Sequence, residues 1–277
     1  MSGKRKIRID HLLGDKYPHL SRSRIQAEIM AGRVYVEGVR VDKAGTLVNP
    51  DVNAEIHHPE NPYVSRGGLK LEGALEQFNV GVEDKIILDV GSSTGGFTDC
   101  LLKRGAAHVI ALDVGYGQLA LNLRQDDRVT VMERFNVRRL TRNDLYRQPD
   151  LAVIDVSFIS LELVLPVLAE IGLRDVIALV KPQFETGRVQ VDRGAGVIRD
   201  PLLHANAIDK VIRCALKNDY FLSGITYSSK PGPKGNIEYF IYLTADSSGK
   251  QDNEANYTGL IEETVKEAHQ RFNSEKG

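Results

Sequence analysis

The fold of this chain is decided by the run Lys85-Ile86-Ile87-Leu88-Asp89-Val90-Gly91-Ser92-Ser93-Thr94-Gly95-Gly96-Phe97. Its first part is apolar on both faces and predicts a strand buried inside a parallel sheet. The glycines that follow let the backbone turn tightly against a ligand. Phe97, Cys100 and Leu101 then recur at helical spacing, so the run predicts a strand, a glycine-rich turn and a helix N-terminus.

A second acid follows the next apolar run. Val109-Ile110-Ala111-Leu112 ends at Asp113, at the distance where a nucleotide-binding fold places its ribose-binding acid. The glycines of the turn lack the G-x-G-x-x-G spacing of dinucleotide-binding proteins. The turn resembles motif I of the Rossmann-like S-adenosylmethionine (SAM) methyltransferases, which implies SAM as cofactor, with Asp89 shaping the turn and Asp113 binding the SAM ribose. The predicted cofactor-binding residues are Asp89, Gly91, Ser92, Ser93, Thr94, Gly95, Gly96, Phe97, Asp113, Val114 and Asn136.

Length and composition indicate two domains. The chain has 277 residues and a net charge of -1, but residues 1–50 hold ten Lys/Arg and five Asp/Glu, which suits that part to phosphate. Cys100 and Cys214 lie far apart inside helical patterns, which predicts two reduced core thiols and neither a disulfide nor a metal site. We find no signal peptide and no apolar run near the roughly 18 residues that cross a bilayer. We therefore expect a cytoplasmic protein without a membrane span.

The first 60 residues contain two helices and a hairpin. Asp10 is the predicted cap of the first helix, and Ser21 caps a second helix in which Met30 belongs to the buried stripe. The residues from Val34 to Val41 predict a hairpin that turns at Gly38. This order resembles the S4 domain, a small α+β module that binds structured RNA. The predicted RNA-binding residues are Arg22, Arg24, Arg33, Arg40, Lys43 and, beyond this domain, Arg66.

Polar residues end two later strands as well. Leu151-Ala152-Val153-Ile154 stops at Asp155, and a run from Asp175 to Val180 stops at Lys181, which Pro182 is expected to separate from any following helix. Open α/β sheets bind ligands at the carboxyl ends of their strands. We therefore expect Asp89, Asp155 and Lys181 to lie at one edge of the sheet.

Two polar stretches interrupt the pattern of strands and helices. The stretch between Gln183 and Arg199 is glycine-rich and predicts either a mobile substrate loop or a plain surface connection. The stretch from Ser247 to Glu254 predicts a flexible connection before a final amphipathic helix.

Over nearly the whole chain, an S4 domain followed by an FtsJ-like methyltransferase domain resembles the TlyA-type ribosomal RNA 2'-O-methyltransferases, which are also labelled hemolysins. The resemblance implies an α/β fold, in which a Rossmann-like SAM-dependent methyltransferase domain with a mostly parallel sheet follows the small S4 domain. It implies methylation of a ribose, of cytidine, in ribosomal RNA. It also implies a Lys-Asp-Lys-Glu tetrad at Lys70, Asp155, Lys181 and Glu238. The predicted division is an S4-like domain at 1–60, a linker at 61–64 and the methyltransferase domain at 65–277.

The chemistry explains why such a site needs lysines. A ribose 2'-hydroxyl is a weak acid, so it must lose its proton as it attacks the methyl group of SAM. Lys181 is the predicted base and must be neutral to act. Lys70, partial burial and the sulfonium charge disfavour its ammonium form, whereas Asp155 and Glu238 orient the lysines and favour it.

Three other classes of protein remain open at this point. An NAD-dependent oxidoreductase shares the fold, a non-catalytic RNA-binding or ribosome-assembly protein shares the S4 domain, and a membrane-lytic protein is what the hemolysin label implies. SAM binding, methyl transfer and liposome leakage separate them. The sequence contains no His/Cys cluster that predicts a metal site and indicates no stable protein partner.

Overall fold

The computed structural model of the protein describes residues 6–18, 20–56, 61–186, 196–232, 234–245 and 254–274. The chain forms two compact units, Met1–Pro62 and Tyr63–Gly277. The predicted division treats these parts as domains that fold independently, and that division stays a prediction. Most of the stretch from Gln183 to Arg199, and nearly all of the stretch from Ser247 to Glu254, lies outside the described residues, so neither loop prediction is tested.

The N-terminal unit is a small α+β module. Ser21 caps the second helix as predicted, because its side chain accepts a hydrogen bond from the Arg24 backbone N–H at 3.2 Å. The hairpin turns at Gly38, whose φ of +77° lies in the left-handed region that favours glycine. The elements are β1 (Ile7–Arg8), α1 (Ile9–Lys16), α2 (Arg22–Met30), β2 (Val34–Val36), β3 (Val39–Val41), β4 (Leu47–Val48) and β5 (Ala54–Ile56). One antiparallel sheet has the order β3-β2-β5, and a second pairs β1 with β4.

Two predictions about these helices are wrong. Asp10 lies inside α1, which begins at Ile9, and is buried instead of capping the helix. Its carboxylate accepts hydrogen bonds from Arg8 at 2.9 Å and from Gln26 at 3.1 Å. The guanidinium of Arg8 holds the pKa of Asp10 well below its usual value. Met30, the last residue of α2, is 76% exposed and does not belong to the buried stripe.

We predict that Asp10→Ala destabilises the N-terminal unit by about 1–3 kcal/mol, because Arg8 and Gln26 lose their buried acceptor. The measurement is hydrogen exchange of the amides of α1 and α2 in the full chain, since one global unfolding curve does not isolate a single unit. Asp15→Ala is the matched control, because Asp15 lies in the same helix and is exposed. Equal protection in the two variants would contradict the prediction.

The C-terminal unit is built on a seven-stranded sheet of order β11-β12-β10-β9-β6-β7-β8. Strand β12 is antiparallel to both of its neighbours, and the other pairs are parallel. The strands are β6 (Ile86–Val90), β7 (His108–Leu112), β8 (Val129–Met132), β9 (Leu151–Ile154), β10 (Asp175–Val180), β11 (Phe221–Tyr227) and β12 (Tyr239–Thr244). The helices are α3 (Gly67–Gln77), α4 (Gly96–Lys103), α5 (Leu121–Arg124), α6 (Leu165–Glu170), α7 (Pro182–Glu185), α8 (Pro201–Leu216) and α9 (Glu254–Ser274). This mostly parallel sheet confirms the predicted fold class.

Helices cover both faces of this sheet. Residues alternate along β6, so that Ile87 joins the core under α3 and α4, while Leu88 and Val90 join the core under α6, α8 and α9. Burial on both faces is the reason that the deciding run is almost continuously apolar. No helix within the described ranges is long and apolar enough to span a bilayer.

The structure corrects one prediction in this unit. Pro182 does not separate Lys181 from a helix, because α7 begins at Pro182 itself. A proline fits the first helical position, where its missing N–H has no intrahelical partner to lose. Lys181 therefore lies at the junction of β10 and α7, between two ordered elements.

Candidate active site

Three neighbouring strands bring the polar residues of the site to one edge of the sheet. Asp155 follows the last residue of β9, and Lys181 follows the last residue of β10. Strand β12 runs the opposite way, with Tyr239 paired to Val180, so Glu238 enters the same edge from the amino end of its strand. The antiparallel strand therefore adds a third polar position to an edge formed by the carboxyl ends of two parallel strands.

The four predicted tetrad residues form two ion pairs. Lys70 Nζ lies 2.6 Å from Glu238 Oε2, and Lys181 Nζ lies 2.5 Å from Asp155 Oδ1. Both lysines and Glu238 are buried. Lys181 also donates a hydrogen bond to Ser157 Oγ at 3.0 Å. Burial of charged groups is tolerated when each one is paired, as it is here.

Two cavities meet at these pairs. The larger, of about 580 Å³, is lined by all four tetrad residues. The smaller, of about 220 Å³, is lined by the glycine-rich turn between β6 and α4. Lys70 and Asp155 line both cavities. The two cavities therefore adjoin at these two side chains.

The chain matches two family models, the FtsJ-like methyltransferase over residues 63–245 and the S4 domain over residues 7–53. It is 49% identical over 230 residues to the 16S/23S rRNA (cytidine-2'-O)-methyltransferase TlyA of Mycobacterium tuberculosis, covering 81% of this chain and 85% of the relative. It is 43% identical to Hemolysin A of Brachyspira hyodysenteriae, covering 83% and 98% of the two chains. The chain belongs to the TlyA family of FtsJ-like methyltransferases.

A solved structure of the same family extends the match to the whole fold. A protein from Streptococcus thermophilus that is described as a hemolysin is 41% identical, covers 98% of both chains and superposes with a TM-score of 0.73. The family identifies the chain as an enzyme, a methyltransferase that uses SAM, as predicted. The alternatives of an NAD-dependent oxidoreductase and of a non-catalytic protein are therefore set aside.

The smaller cavity fits a cofactor that needs close approach of the backbone. Gly91 has a φ of +86°, and a Cβ atom there would lie 2.5 Å from the backbone oxygen of Asp155. Gly95 has a φ of +95° and precedes α4. Glycine accommodates both the positive φ and the close contact, so the turn packs tightly against the backbone of Asp155 on one side and the side chain of Leu123 on the other. The predicted cofactor residues that line this cavity are Gly91, Ser92, Ser93, Thr94, Gly96 and Phe97.

The other predicted cofactor residues do not line this cavity. Asp113 accepts hydrogen bonds from the backbone N–H groups of Ser93 at 2.8 Å and Gly115 at 2.6 Å, so it links the glycine-rich turn to the turn after β7. The side chain of Asn136 is exposed and accepts the Arg138 backbone N–H at 3.0 Å. Gly95 belongs to the glycine-rich turn and Val114 is exposed in the turn after β7, and the cofactor roles of both stay predictions.

Asp89 is fully buried under the turn. Its Oδ2 accepts the Thr98 hydroxyl at 2.6 Å, which ties β6 to α4, and its Oδ1 has no hydrogen-bond partner among the described residues. Burial raises the pKa of Asp89 to about 7, and the nearby carboxylates of Asp155 and Asp113 add to this rise. The hydrogen bond to Thr98 fixes the end of β6 to the helix that follows the glycine-rich turn, and the predicted role of Asp89 in shaping the turn stays a prediction.

The predicted RNA-binding arginines of the N-terminal unit have carboxylate partners. Arg22 lies 3.6 Å from buried Asp10, and both Arg24, at 2.8 Å, and Arg33 pair with buried Glu28. The guanidinium of Arg40 packs across Gly32, and Lys43 is exposed. Arg66 belongs to the C-terminal unit, where it precedes α3 and lines the smaller cavity.

Several lining residues of the larger cavity were not among the predicted site residues. Phe158 is 90% exposed with a φ of +64°, and its ring centroid lies 5.0 Å from that of Phe184. Buried Asn236 binds the segment that contains Gly196 and Ile198. Its side-chain oxygen accepts the Ile198 N–H and its side-chain nitrogen donates to the Gly196 carbonyl, each at 2.9 Å. The two aromatic residues follow Asp155 and Lys181 closely in sequence, which is a signal that could have found them.

Glu185 joins the two segments that carry these aromatic residues. It is buried in α7, and its carboxylate accepts the Ser160 hydroxyl at 2.5 Å and the Leu161 N–H at 2.9 Å. Burial raises its pKa. The turn after Asp155 is thereby fixed to the helix after Lys181. Within the described residues, no cluster of His, Cys, Asp and Glu could hold a metal ion.

We predict that Asp89 contributes a decline in the free energy of unfolding as the pH rises from about 4 to about 7, because it must ionise while buried. Buried His204, whose pKa is lowered to about 4, contributes a gain over the same range. The folded pKa of Asp89, about 7, lies above the value of roughly 3.9 in an unfolded chain. Asp89→Asn keeps an acceptor for Thr98 but cannot ionise, so it should lose this decline and unfold at a higher temperature than wild type at pH 8.

The measurement is thermal unfolding between pH 5 and pH 8, with Asp127→Asn as control because Asp127 is an exposed aspartate of the same unit. The control should follow the wild-type pH dependence. A difference in melting temperature between wild type and Asp89→Asn that stays constant from pH 5 to pH 8 would rule out this role of Asp89.

Proposed function

We propose that this enzyme transfers the methyl group of SAM to a ribose 2'-hydroxyl of ribosomal RNA, at a cytidine. The observation that carries the proposal is the meeting of two lysine–carboxylate pairs at the junction of two cavities. Relatives from Mycobacterium tuberculosis and Campylobacter jejuni, 49% and 37% identical, are named rRNA (cytidine-2'-O)-methyltransferases. A ribosomal substrate would place the enzyme in the cytoplasm.

The smaller cavity suits the cofactor and the larger one suits the nucleotide. SAM supplies an electrophilic methyl group on a sulfonium when it is bound. The glycine-rich turn would hold the cofactor beside Lys70 and Asp155, which line both cavities. In-line placement of the reacting oxygen provides much of the acceleration in such a transfer.

Lys181 is the base in this proposal. Of the two cavities, Lys181 lines only the larger one. Its amine lies 2.5 Å from Asp155 Oδ1 and donates a hydrogen bond to Ser157 Oγ at 3.0 Å. The amine takes the proton of the 2'-hydroxyl as the oxygen–methyl bond forms and the sulfur–methyl bond breaks. Asp155 then stabilises the ammonium ion, which releases its proton to solvent after the product leaves.

Lys70 acts through its charge and position. Buried Glu238 holds its ammonium group at 2.6 Å, at the junction of the cavities. From there the ammonium binds the ribose oxygen that gains negative charge in the transition state.

The aromatic residues at the larger cavity support a nucleotide substrate. Phe158 presents nearly all of its ring to solvent, and Phe184 lies against it at an angle of 52°. Enzymes that modify RNA commonly stack unpaired bases on such rings. The N-terminal unit would bind the RNA through Arg40, Lys43 and the paired arginines, whose guanidinium groups keep further N–H donors for phosphates.

We predict that Lys181→Ala abolishes methyl transfer, by at least 100-fold in the single-turnover rate, while SAM affinity stays within about twofold, because the base acts only in the transition state. The assay combines labelled SAM with ribosomal subunits from cells that lack the enzyme and then maps the methylated riboses. Lys103→Ala is the matched control, since Lys103 pairs with Asp99 outside both cavities. A near wild-type rate in Lys181→Ala would remove the base assignment, and wild-type protein that methylates no ribose would refute the proposed function.

We predict that Asp113→Ala weakens SAM binding by about tenfold or more, because its carboxylate holds Ser93 and Gly115 in place and faces the ribose of the cofactor in our proposal. Isothermal calorimetry with SAM measures the change. RNA affinity should stay unchanged. Asp126→Ala serves as control, because Asp126 follows α5 and pairs with Arg128. Unaltered SAM affinity in a folded Asp113→Ala protein would exclude this role.

A further inference from the structure

The crossover between β8 and β9 presents one face to the core and one to solvent. This segment, residues 134–147, which we call the arginine crossover, contains the 3-10 turns Val137–Arg139 and Arg142–Asp144. Val137, Leu140 and Leu145 are buried in the core beneath α6. Because these side chains fix the segment to the core, the residues between them face outward.

Five of the outward residues are exposed arginines, namely Arg134, Arg138, Arg139, Arg142 and Arg147. The single acid of the crossover, Asp144, already accepts hydrogen bonds from the Thr141 N–H at 2.8 Å and the Thr141 hydroxyl at 2.7 Å. Among the described residues, no carboxylate forms an ion pair with any of the five arginines. The crossover therefore carries a local charge of +4 without neutralising partners.

This excess does not follow from the composition of the unit. Residues 63–277 contain 26 Lys/Arg and 29 Asp/Glu, so the unit as a whole is slightly acidic. Elsewhere in it, arginines meet acids, as Arg124 meets Glu133 and Arg213 meets Asp209 at 2.7 Å. A solvated surface arginine gains little from such a pair. Five neighbouring arginines that have no paired acid form a positive surface suited to a polyanion.

Exposed aromatic rings accompany the charge. Tyr146 is 91% exposed and Arg147 lies 5.7 Å from its ring centroid, while Arg134 lies 4.0 Å from the ring centroid of exposed Tyr116. Planar guanidinium and tyrosine groups stack on nucleobases as well as on each other. Phosphate charge and base stacking are both features of RNA.

The crossover begins at the cofactor edge of the sheet. The Arg134 N–H donates to the Gly115 carbonyl at 2.9 Å, in the turn after β7. That turn is linked through Asp113 to the glycine-rich turn of the smaller cavity. A strand bound along the arginines therefore leads toward the site of methyl transfer.

We propose that the arginine crossover binds the phosphate backbone of the RNA substrate, so that the methyltransferase domain holds the RNA through its own surface besides that of the S4 domain. The proposal rests on the proposed function and adds to it. Its contacts are with phosphate, so they position the RNA without reading its sequence.

The test uses the full chain with Arg138→Gln/Arg139→Gln and measures affinity for ribosomal RNA extracted from cells lacking the enzyme, over a series of salt concentrations. Two lost phosphate contacts should make the log–log salt slope shallower by about 1.4 to 1.8. Affinity at low salt should fall by about tenfold or more. SAM affinity should be unchanged, and methylation should recover at saturating RNA.

Two controls separate this effect from general charge. Arg128→Gln/Arg213→Gln makes the same charge change at arginines that are paired with acids, and it should leave the slope near that of wild type. Arg138→Lys/Arg139→Lys keeps the charge and should restore most of the slope. If the test variant and its paired-arginine control have equal slopes, or if wild-type binding lacks salt dependence, the crossover is not an RNA surface. A third result would separate the two proposals. If the variants show the expected salt slopes but the wild-type protein methylates no ribose, the proposed function is wrong and the RNA-binding surface stands.

Discussion

The site depends on the mutual neutralisation of four charged side chains at one edge of the sheet. Lys70, Lys181 and Glu238 are buried, and each lies within 2.6 Å of an opposite charge. An unpaired charge at these depths would cost several kcal/mol, so neither lysine could be retained without its acid. The pairs also fix the positions of the amines at the junction of the cavities. The same two ion pairs therefore both stabilise this edge of the sheet and position the lysine amines.

The glycine-rich turn and the sheet edge that carries the two ion pairs are in direct contact. A Cβ atom on Gly91 would meet the backbone of Asp155, so the turn packs against the residue that holds Lys181. Glu185 adds a second link, because it fixes the turn after Asp155 to α7. A displacement of the glycine-rich turn or of the turn after Asp155 would therefore also displace the amine of Lys181. This explains why small residues and buried acids surround a site whose chemistry needs only a few groups.

Arginines have different roles in the two units. In the N-terminal unit, Arg24 and Arg33 converge on buried Glu28, so part of the basic surface is needed to neutralise the core of the module. In the C-terminal unit, no described acid forms an ion pair with an arginine of the arginine crossover. Charge counted along the sequence does not distinguish these cases. The burial of the neighbouring acid does.

The sequence by itself determined the order of the elements, the glycine-rich turn and the acid or lysine at each strand end, because local hydrophobic periodicity and backbone freedom are written residue by residue. It misplaced Asp10 and Pro182, whose helix positions depend on what packs around them. The contact between Lys70 and Glu238, 168 residues apart, was decided only by the tertiary structure. The reason is the strand order: β12 inserts antiparallel beside β10, and no local pattern specifies which strand will be a neighbour.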